Sequence, residues 1–420
     1  MQKKLLGMAV ATALAAPAAA FAQVQVYGTA NMSFNSTKYT DSTSGAAGVS
    51  KLTVASHASN FGIRSSESLG GGLTGWVQYE FNVKMERDND ASANNGSSRN
   101  TAIGLRGGFG NVYFGTWETP FASTFRMWDV GTIGGWGAST SVMYRRESTA
   151  SAPSNNCGVP FQGNQVITGG ALPLAICYHQ DGGPNGAYAL WRRYGSAVFY
   201  DSPVFSGFQF KIGYQPNETK STAGITLATQ GSTTQQTAAL VTVAENPSSW
   251  SASLSWTGMG GKARAFVANM QAKDWSSIGQ SDGGYIVGGG YDFGVVNVGA
   301  AWETYKYKNS AVLETKTNEY AVAFAIPLGS GKIGASYAIA KDAELSNGTT
   351  TDNGAKMYNV GYEWALSKRT AVGFGYAAIK NDPAAVFTWT GMAPNQTGVN
   401  IGAMAGSDPS NIFVSFRHSF

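Results

Sequence analysis

Charge is scarce in this chain. Of 420 residues only 13% are Asp, Glu, Lys or Arg, about half of the ~25% found in ordinary globular domains. The 29 basic and 25 acidic residues nearly balance, so the sequence offers no electropositive surface for nucleic acid. Histidine is scarcer still, with His57, His179 and His418 the whole set. None stands in a pattern with a nucleophile, and activated-nucleophile catalysis therefore has no candidate. Glycine runs such as Gly288-Gly289-Gly290 precede no helix, which removes the phosphate cradle. Acidic stretches such as Asp88-Asn89-Asp90 read as solvated loop, and neither a metal site nor a cofactor is implied. Beyond the first 22 residues no run of ~18 apolar residues occurs, so a membrane-spanning helix is excluded.

What is abundant points elsewhere. The chain has 54 glycines and 12% aromatic residues, a composition that suits a transmembrane β-barrel with closely packed strands and a lipid-facing surface. Residues Met1 to Ala22 read as a secretory signal peptide. Lys3 and Lys4 supply the charged start, Leu5 to Ala16 the apolar middle, and Ala20-Phe21-Ala22 the small-residue cleavage site. The domain organisation expected is thus a leader, 1–22, followed by one barrel, 23–420.

From Gln23 the chain alternates. Val24, Val26, Ala30, Met32 and Phe34 fall on one face, and Gln25, Tyr27, Thr29, Asn31 and Ser33 on the other; a period of two is the signature of a half-buried strand. Sixteen such segments are expected, beginning near Val24, Ala58, Leu73, Asn100, Asn111, Trp191, Gly207, Ser249, Lys262, Gly283, Val295, Asn318, Lys332, Lys356, Arg369 and Asn411. Short, glycine-rich breaks take turns with longer polar ones. Antiparallel strands joined in that way gather every tight turn at one end, as in an outer-membrane barrel. A soluble two-sheet sandwich shares the alternation but has no reason to gather its long loops, whereas a barrel in lipid must close every strand edge. Tyr79, Trp302, Tyr358, Tyr362 and Trp364 near strand ends fit the aromatic girdles at the two membrane interfaces.

The longest break, Trp117 to Trp191, is where a passage could be narrowed. It holds Glu118, Pro120, Phe121, Asp129, Arg145, Arg146 and both cysteines. At the other extreme, the last segment runs Asn411 to Phe420 and ends on an aromatic, with Ile412, Val414, Phe416, His418 and Phe420 on one face. Pairing of that strand back to the first would remove both edges.

Several motifs in this order resemble the trimeric general porins of the Gram-negative outer membrane, particularly those of β-proteobacteria. They are Val26-Tyr27-Gly28, Phe61-Gly62-Ile63-Arg64 with Glu67 to Leu73, Phe109-Gly110-Asn111-Val112, and Thr119-Pro120-Phe121. Later come Tyr200-Asp201-Ser202-Pro203, Leu366 to Thr370, and the terminal Phe416 to Phe420. The resemblance covers nearly the whole chain. It implies an all-β, sixteen-stranded antiparallel barrel with a long third loop folded into the pore, and passive diffusion of small hydrophilic solutes and ions rather than an enzyme. It also implies a homotrimer among outer-membrane lipid and lipopolysaccharide, assembled by machinery that reads Phe416 and Phe420. By the same resemblance Glu118 and Asp129 are the loop's acids, and Arg64, Arg193 and Lys211 the inward bases of the wall opposite. Asn60 stands where many relatives carry a basic residue and Asn100 occupies an inward site one residue after Arg99, which thins the ladder of bases.

Cys157 and Cys177 are expected to pair. They are the only cysteines, they follow an export signal, and the periplasm is oxidising. Gly158, Pro160, Gly169, Gly170 and Pro173 make the segment between them a turn. A closed ring of about 20 residues removes on the order of 3 kcal/mol of unfolded-chain entropy.

Overall fold

A computed structural model describes residues 23–41, 48–83, 85, 99–143, 193–216, 248–273, 281–308, 314–348, 352–385, 387–389 and 405–420. The leader 1–22, Arg145, Arg146, Cys157, Cys177 and the rest of the long break from 144 to 192 lie outside the described residues.

The described chain closes into one antiparallel sheet of sixteen barrel strands. They are β1 Gln23–Tyr39, β2 in two pieces, Ser50–Ser56 and Asn60–Gly70, β3 Leu73–Asn82, β4 Thr101–Gly107, β5 Gly110–Glu118, β6 Arg193–Asp201, β7 Phe208–Gln215 and β8 Ser248–Gly258. The second half comprises β9 Ala263–Lys273, β10 Ser281–Asp292, β11 Asn297–Lys308, β12 Glu314–Leu328, β13 Gly331–Ala340, β14 Ala355–Ala365, β15 Thr370–Asn381 and β16 Pro409–Ser419. A two-residue strand, Glu344–Leu345, extends the pairing of β12 beyond β13. Each strand pairs with its neighbour in sequence, and β16 returns to β1 from Tyr39↔Pro409 to Thr29↔Ser419. Closure ends on Phe420, whose N–H donates to the Gly28 carbonyl (3.0 Å) while the Gly28 N–H donates to the Phe420 carbonyl (3.2 Å). A side chain at Gly28 would stand 2.5 Å from the Phe420 ring, so only glycine leaves the terminal ring its place.

Alternation decides which side chains meet lipid and which the interior. In β1, Val24, Val26 and Phe34 are exposed on the outer face, while Asn31, Ser33 and Asn35 are buried inside. The same division places Ile412, Val414 and Phe416 outside and Asn411, Phe413 and Ser415 inside. Tyr79, Trp302, Tyr358 and Trp364 are exposed on the outer surface, as girdle residues would be.

Two expectations need correction. The second strand does not begin near Ala58: β1 continues to Tyr39, and β2 already begins at Ser50. The reason is a slip in the alternation. Leu52 and Val54 face out at even positions, whereas Phe61 and Ile63 face out at odd ones, and a one-residue change reverses every side chain beyond it. The break at His57–Ser59, with Ala58 in the left-handed region (φ 53°), absorbs that change. His57 stands in that break and is packed there. Its Nε2 lies 2.6 Å from the Ser33 hydroxyl and its ring packs edge-on against Trp136 at 5.2 Å.

The second correction concerns the inner face, which is not polar throughout as the Gln25-to-Ser33 face of the first strand would suggest. From β9 to β16 it carries Ala268, Met270, Ala272, Ile286, Ala301, Ala323, Ala338, Met357, Ala377, Ile379 and Phe413, all buried in one apolar cluster with Phe121, Trp128, Ile133 and Trp136 from the segment after β5. Phe387 and Trp389, from the connection after β15, join the same cluster. Small residues on the wall leave room for these large ones.

Candidate functional site

The segment that follows β5 is built to hold its shape. Thr119 caps a short helix α1, Pro120–Ser123, by accepting from the Ala122 N–H at 3.1 Å, and proline fills the first turn, where no N–H partner is needed. A second short helix, α2, spans Phe125–Trp128. The Phe121 N–H donates to the Ser251 hydroxyl of β8 (3.0 Å). Farther along, Lys332 Nζ of β13 donates to the carbonyls of Val130 (3.3 Å) and Thr132 (3.2 Å). Asn359 Nδ2 of β14 donates to the Gly131 carbonyl (3.2 Å) and Asn31 Nδ2 of β1 to that of Gly134 (3.5 Å). Trp136 then stacks on Phe413 at 5.3 Å and meets Trp389 edge-on at 5.1 Å. Inward side chains of β8, β13, β14, β16 and β1 thus hold this segment in turn.

The two expected loop acids have different surroundings. Asp129 turns its carboxylate into the segment itself. Its Oδ2 accepts from the Ser139 N–H (3.1 Å), the Thr132 hydroxyl (3.0 Å) and the Ser139 hydroxyl, and its Oδ1 is shielded from solvent. Burial of the carboxylate raises its pKa above the usual range, opposed by those hydrogen bonds and by the charge of Lys332. Glu118 ends β5 opposite Arg193 at the start of β6. It accepts from Arg126 Nη1 at 2.5 Å; the Glu118 side chain is 9% exposed and that of Arg126 57%. Arg126 also lies over the Phe125 ring at 4.5 Å.

Around Glu118 the wall residues link into a band. Arg193 Nε donates to Asn100 Oδ1 (3.0 Å), the same oxygen that takes the Glu118 N–H (3.1 Å). Gln78 Nε2 donates to the Asn100 carbonyl (2.8 Å). Arg99 pairs with Glu80 at 2.6 Å and donates to Asn82 Oδ1 at 3.0 Å. Tyr27 donates to the other Glu80 oxygen (3.1 Å). Arg64 lies over the Tyr27 ring at 5.1 Å, donates to Gln25 Oε1 (2.9 Å), and is exposed. Lys211 is set apart, in register with Asp201 at the tight-turn end. Glu118, Arg193 and Arg64 therefore share one belt of β1–β6, while Asp129 and Lys211 do not.

Sequence reasoning missed Arg126, Arg99 and Glu80 as members of that belt. It also missed Asp282, Glu303 and Glu319, buried on the inner face of β10–β12, with Glu303 and Glu319 directly opposite each other. Glu303 and Glu319 share the inward parity of Ala301 and Ala321, a signal that could have found them.

The match to known proteins decides the family. A family model described as Gram-negative porin matches residues 8–384. The chain belongs to that family. It is an outer-membrane porin, a channel protein and not an enzyme. The outer membrane porin protein 32 of Delftia acidovorans is 26% identical over 426 residues, covering 100% of both chains. The major outer membrane protein P.IB of Neisseria gonorrhoeae is 26% identical over 231 residues, 53% of this chain and 51% of its own length. Among solved structures, an anion-selective porin from Comamonas acidovorans superposes with a TM-score of 0.62 at 22% identity, over 95% of this chain and 100% of that one. The OmpT protein of Vibrio cholerae in its trimer form gives 0.57 at 14% identity, over 95% of this chain and 99% of that one. These two likenesses concern the fold. In a porin the tight turns face the periplasm and the longer connections the exterior, so the Glu118–Arg193 end of the belt lies toward the outer side.

Proposed function

We propose that this porin lets small hydrophilic solutes and ions diffuse passively through a water-filled passage whose narrowest part lies between the segment after β5 and the belt on β1–β6. The observation that carries the ionic preference is the unequal exposure of opposite charges. Arg126 reaches solvent while its partner Glu118 is covered, Arg64 is exposed, and the Asp129 carboxylate is enclosed by Thr132 and Ser139. Glu80 and Arg99 cover each other almost equally, at 13% and 14% exposed, so that pair presents neither sign. A solute in the passage thus meets guanidinium groups before it meets carboxylates, and a charge of one sign at close range in a confined opening favours the counter-ion. The preference proposed is for anions. The similar porin from Comamonas acidovorans is an anion-selective one, which supports the same reading.

Assembly as a homotrimer in outer-membrane lipid and lipopolysaccharide is part of this proposal, with the trimer form of the Vibrio cholerae protein as its support. So is removal of residues 1–22 on export. The channel reading is tested by liposome swelling with neutral sugars of rising size, together with conductance in planar bilayers. Size-limited sugar entry and stepwise current are expected; intact, folded protein that admits neither would refute the passage.

A further inference from the structure

One group of inward side chains takes no part in the charged belt. On the inner wall of β3–β6 stand Trp76, Tyr113, Trp117, Tyr194 and Phe199. Tyr113 stacks on Phe199 at 5.1 Å with the planes 10° apart, and Trp76 meets Tyr113 at 5.5 Å and Trp117 at 5.7 Å. Gly104 lies beneath them. A side chain there would stand 2.6 Å from Tyr113 Cβ and 2.8 Å from the Trp76 ring, so the glycine lets both residues close over the strand. Trp76 is further fixed by its Nε1 donating to Asn111 Oδ1 (2.8 Å). Tyr113, Tyr194 and Phe199 are buried as the base of this shelf, and Trp76 and Trp117 remain half-buried on top of it.

That the shelf faces inward follows from its neighbours. Ile103, Leu105 and Phe114, which alternate with Gly104 and Tyr113, are exposed on the outer surface. The other half of the wall carries alanine, methionine and isoleucine at its inward positions. Here two indole rings stand beside charge. Glu118, the residue after Trp117, holds the exposed Arg126 guanidinium, and Arg193 is its strand partner. Toward the periplasm the same shelf meets Asp201, which accepts from the Tyr113 hydroxyl (3.4 Å) and lies in register with Lys211.

A flat apolar surface next to an exposed guanidinium complements a solute with a flat apolar face and an anionic edge. We propose that Trp76 and Trp117 form a binding step for aromatic carboxylates, the ring lying on the indoles and the carboxylate drawn to Arg126. This rests on the channel reading above. It adds a solute class to a charge preference that would by itself treat acetate and benzoate alike.

The test is the chloride current of single channels in KCl, titrated with benzoate and, in parallel, with acetate. Benzoate is expected to reduce the current saturably at concentrations where acetate does not. In Trp117→Leu the concentration for half reduction should rise about tenfold, the change that about 1.4 kcal/mol of ring contact produces. Trp76→Leu serves as a second variant, and current steps in KCl alone show that each variant is assembled. Equal effects of benzoate and acetate on the parent protein would overturn the shelf without any variant. Unchanged benzoate block in an assembled Trp117→Leu or Trp76→Leu channel would overturn it as well. Absence of KCl steps in the parent would sink the channel reading itself, a different outcome from either.

Discussion

Replacing Asp129 separates two roles that a carboxylate in this segment could have. If it lined the passage, neutralising it would change ion preference. The structure instead encloses the carboxylate, with Oδ2 accepting three hydrogen bonds and Oδ1 bonded to no other atom of the described residues. Asn can keep its oxygen at the Oδ2 position, so Asp129→Asn should leave both reversal potential and open-channel noise close to those of the parent. Asp129→Ala removes the acceptor and strands the buried Ser139 N–H and two hydroxyls. An unsatisfied buried donor costs about 1–3 kcal/mol, so a local loss of about 2–4 kcal/mol is expected. That raises the population of the released segment by roughly 30-fold or more, since about 1.4 kcal/mol is a factor of ten. The strand ladders are untouched, so the barrel should stay heat-resistant while open-channel noise rises.

The sign of its pH dependence is fixed too. Because burial raises the Asp129 pKa, the stabilising contribution of the protonated form is complete below the unfolded value and is lost as pH rises through the raised one. The segment should therefore be quieter on the acid side, and Asp129→Asn should remove that trend. A large shift of reversal potential in Asp129→Asn, without added noise, would refute the enclosed position and restore Asp129 to the filter.

Other expectations are simpler to check. Arg126→Glu, and separately Arg193→Glu, should move reversal potential toward cation preference; retention of conductance with no shift would remove that residue from the filter. Gly28→Val should displace the Phe420 ring, cost about 1–3 kcal/mol by overpacking, and lower the temperature at which the barrel unfolds in detergent. Deletion of Phe420 should impair assembly further, and a variant that reached the membrane with parental heat resistance would count against the closure argument. Cys157 and Cys177 should be found joined: the unreduced protein should be two hydrogens lighter, with the peptides carrying them linked, whereas two alkylatable thiols in native protein would end that expectation.

Much of this fold was legible because lipid imposes a strict period. Val24, Val26, Phe34, Ile412, Val414 and Phe416 had to face out, and they do. The alternation of tight and long connections ordered the strands, and the terminal Phe420 indicated closure onto β1. What was not legible arose where the period breaks. The slip at Ala58 hid the first piece of β2, and the register shift between Gly115 and Trp117 re-aimed the end of β5. The belt was half legible. Arg64, Arg193 and Glu118 could be named from motif position, but alternation says which face a residue takes and not what covers it. Arg126 and Asp129 lie in or next to a short helix, where period-two reasoning has no hold. The apolar inner wall escaped for a related reason: alanine opposite an exposed Val or Tyr gives too weak a contrast to reveal what will be packed over it.

A water-filled passage in which exposed guanidinium outweighs covered carboxylate is tested most directly by reversal potential. Purified protein in a planar bilayer, with a roughly tenfold KCl gradient across it, should give stepwise conductance and a zero-current voltage displaced toward the chloride equilibrium potential. Steps with a displacement toward the potassium value would contradict the assignment of the exposed charge, and a folded, membrane-inserted barrel that gave no steps would contradict the passage itself.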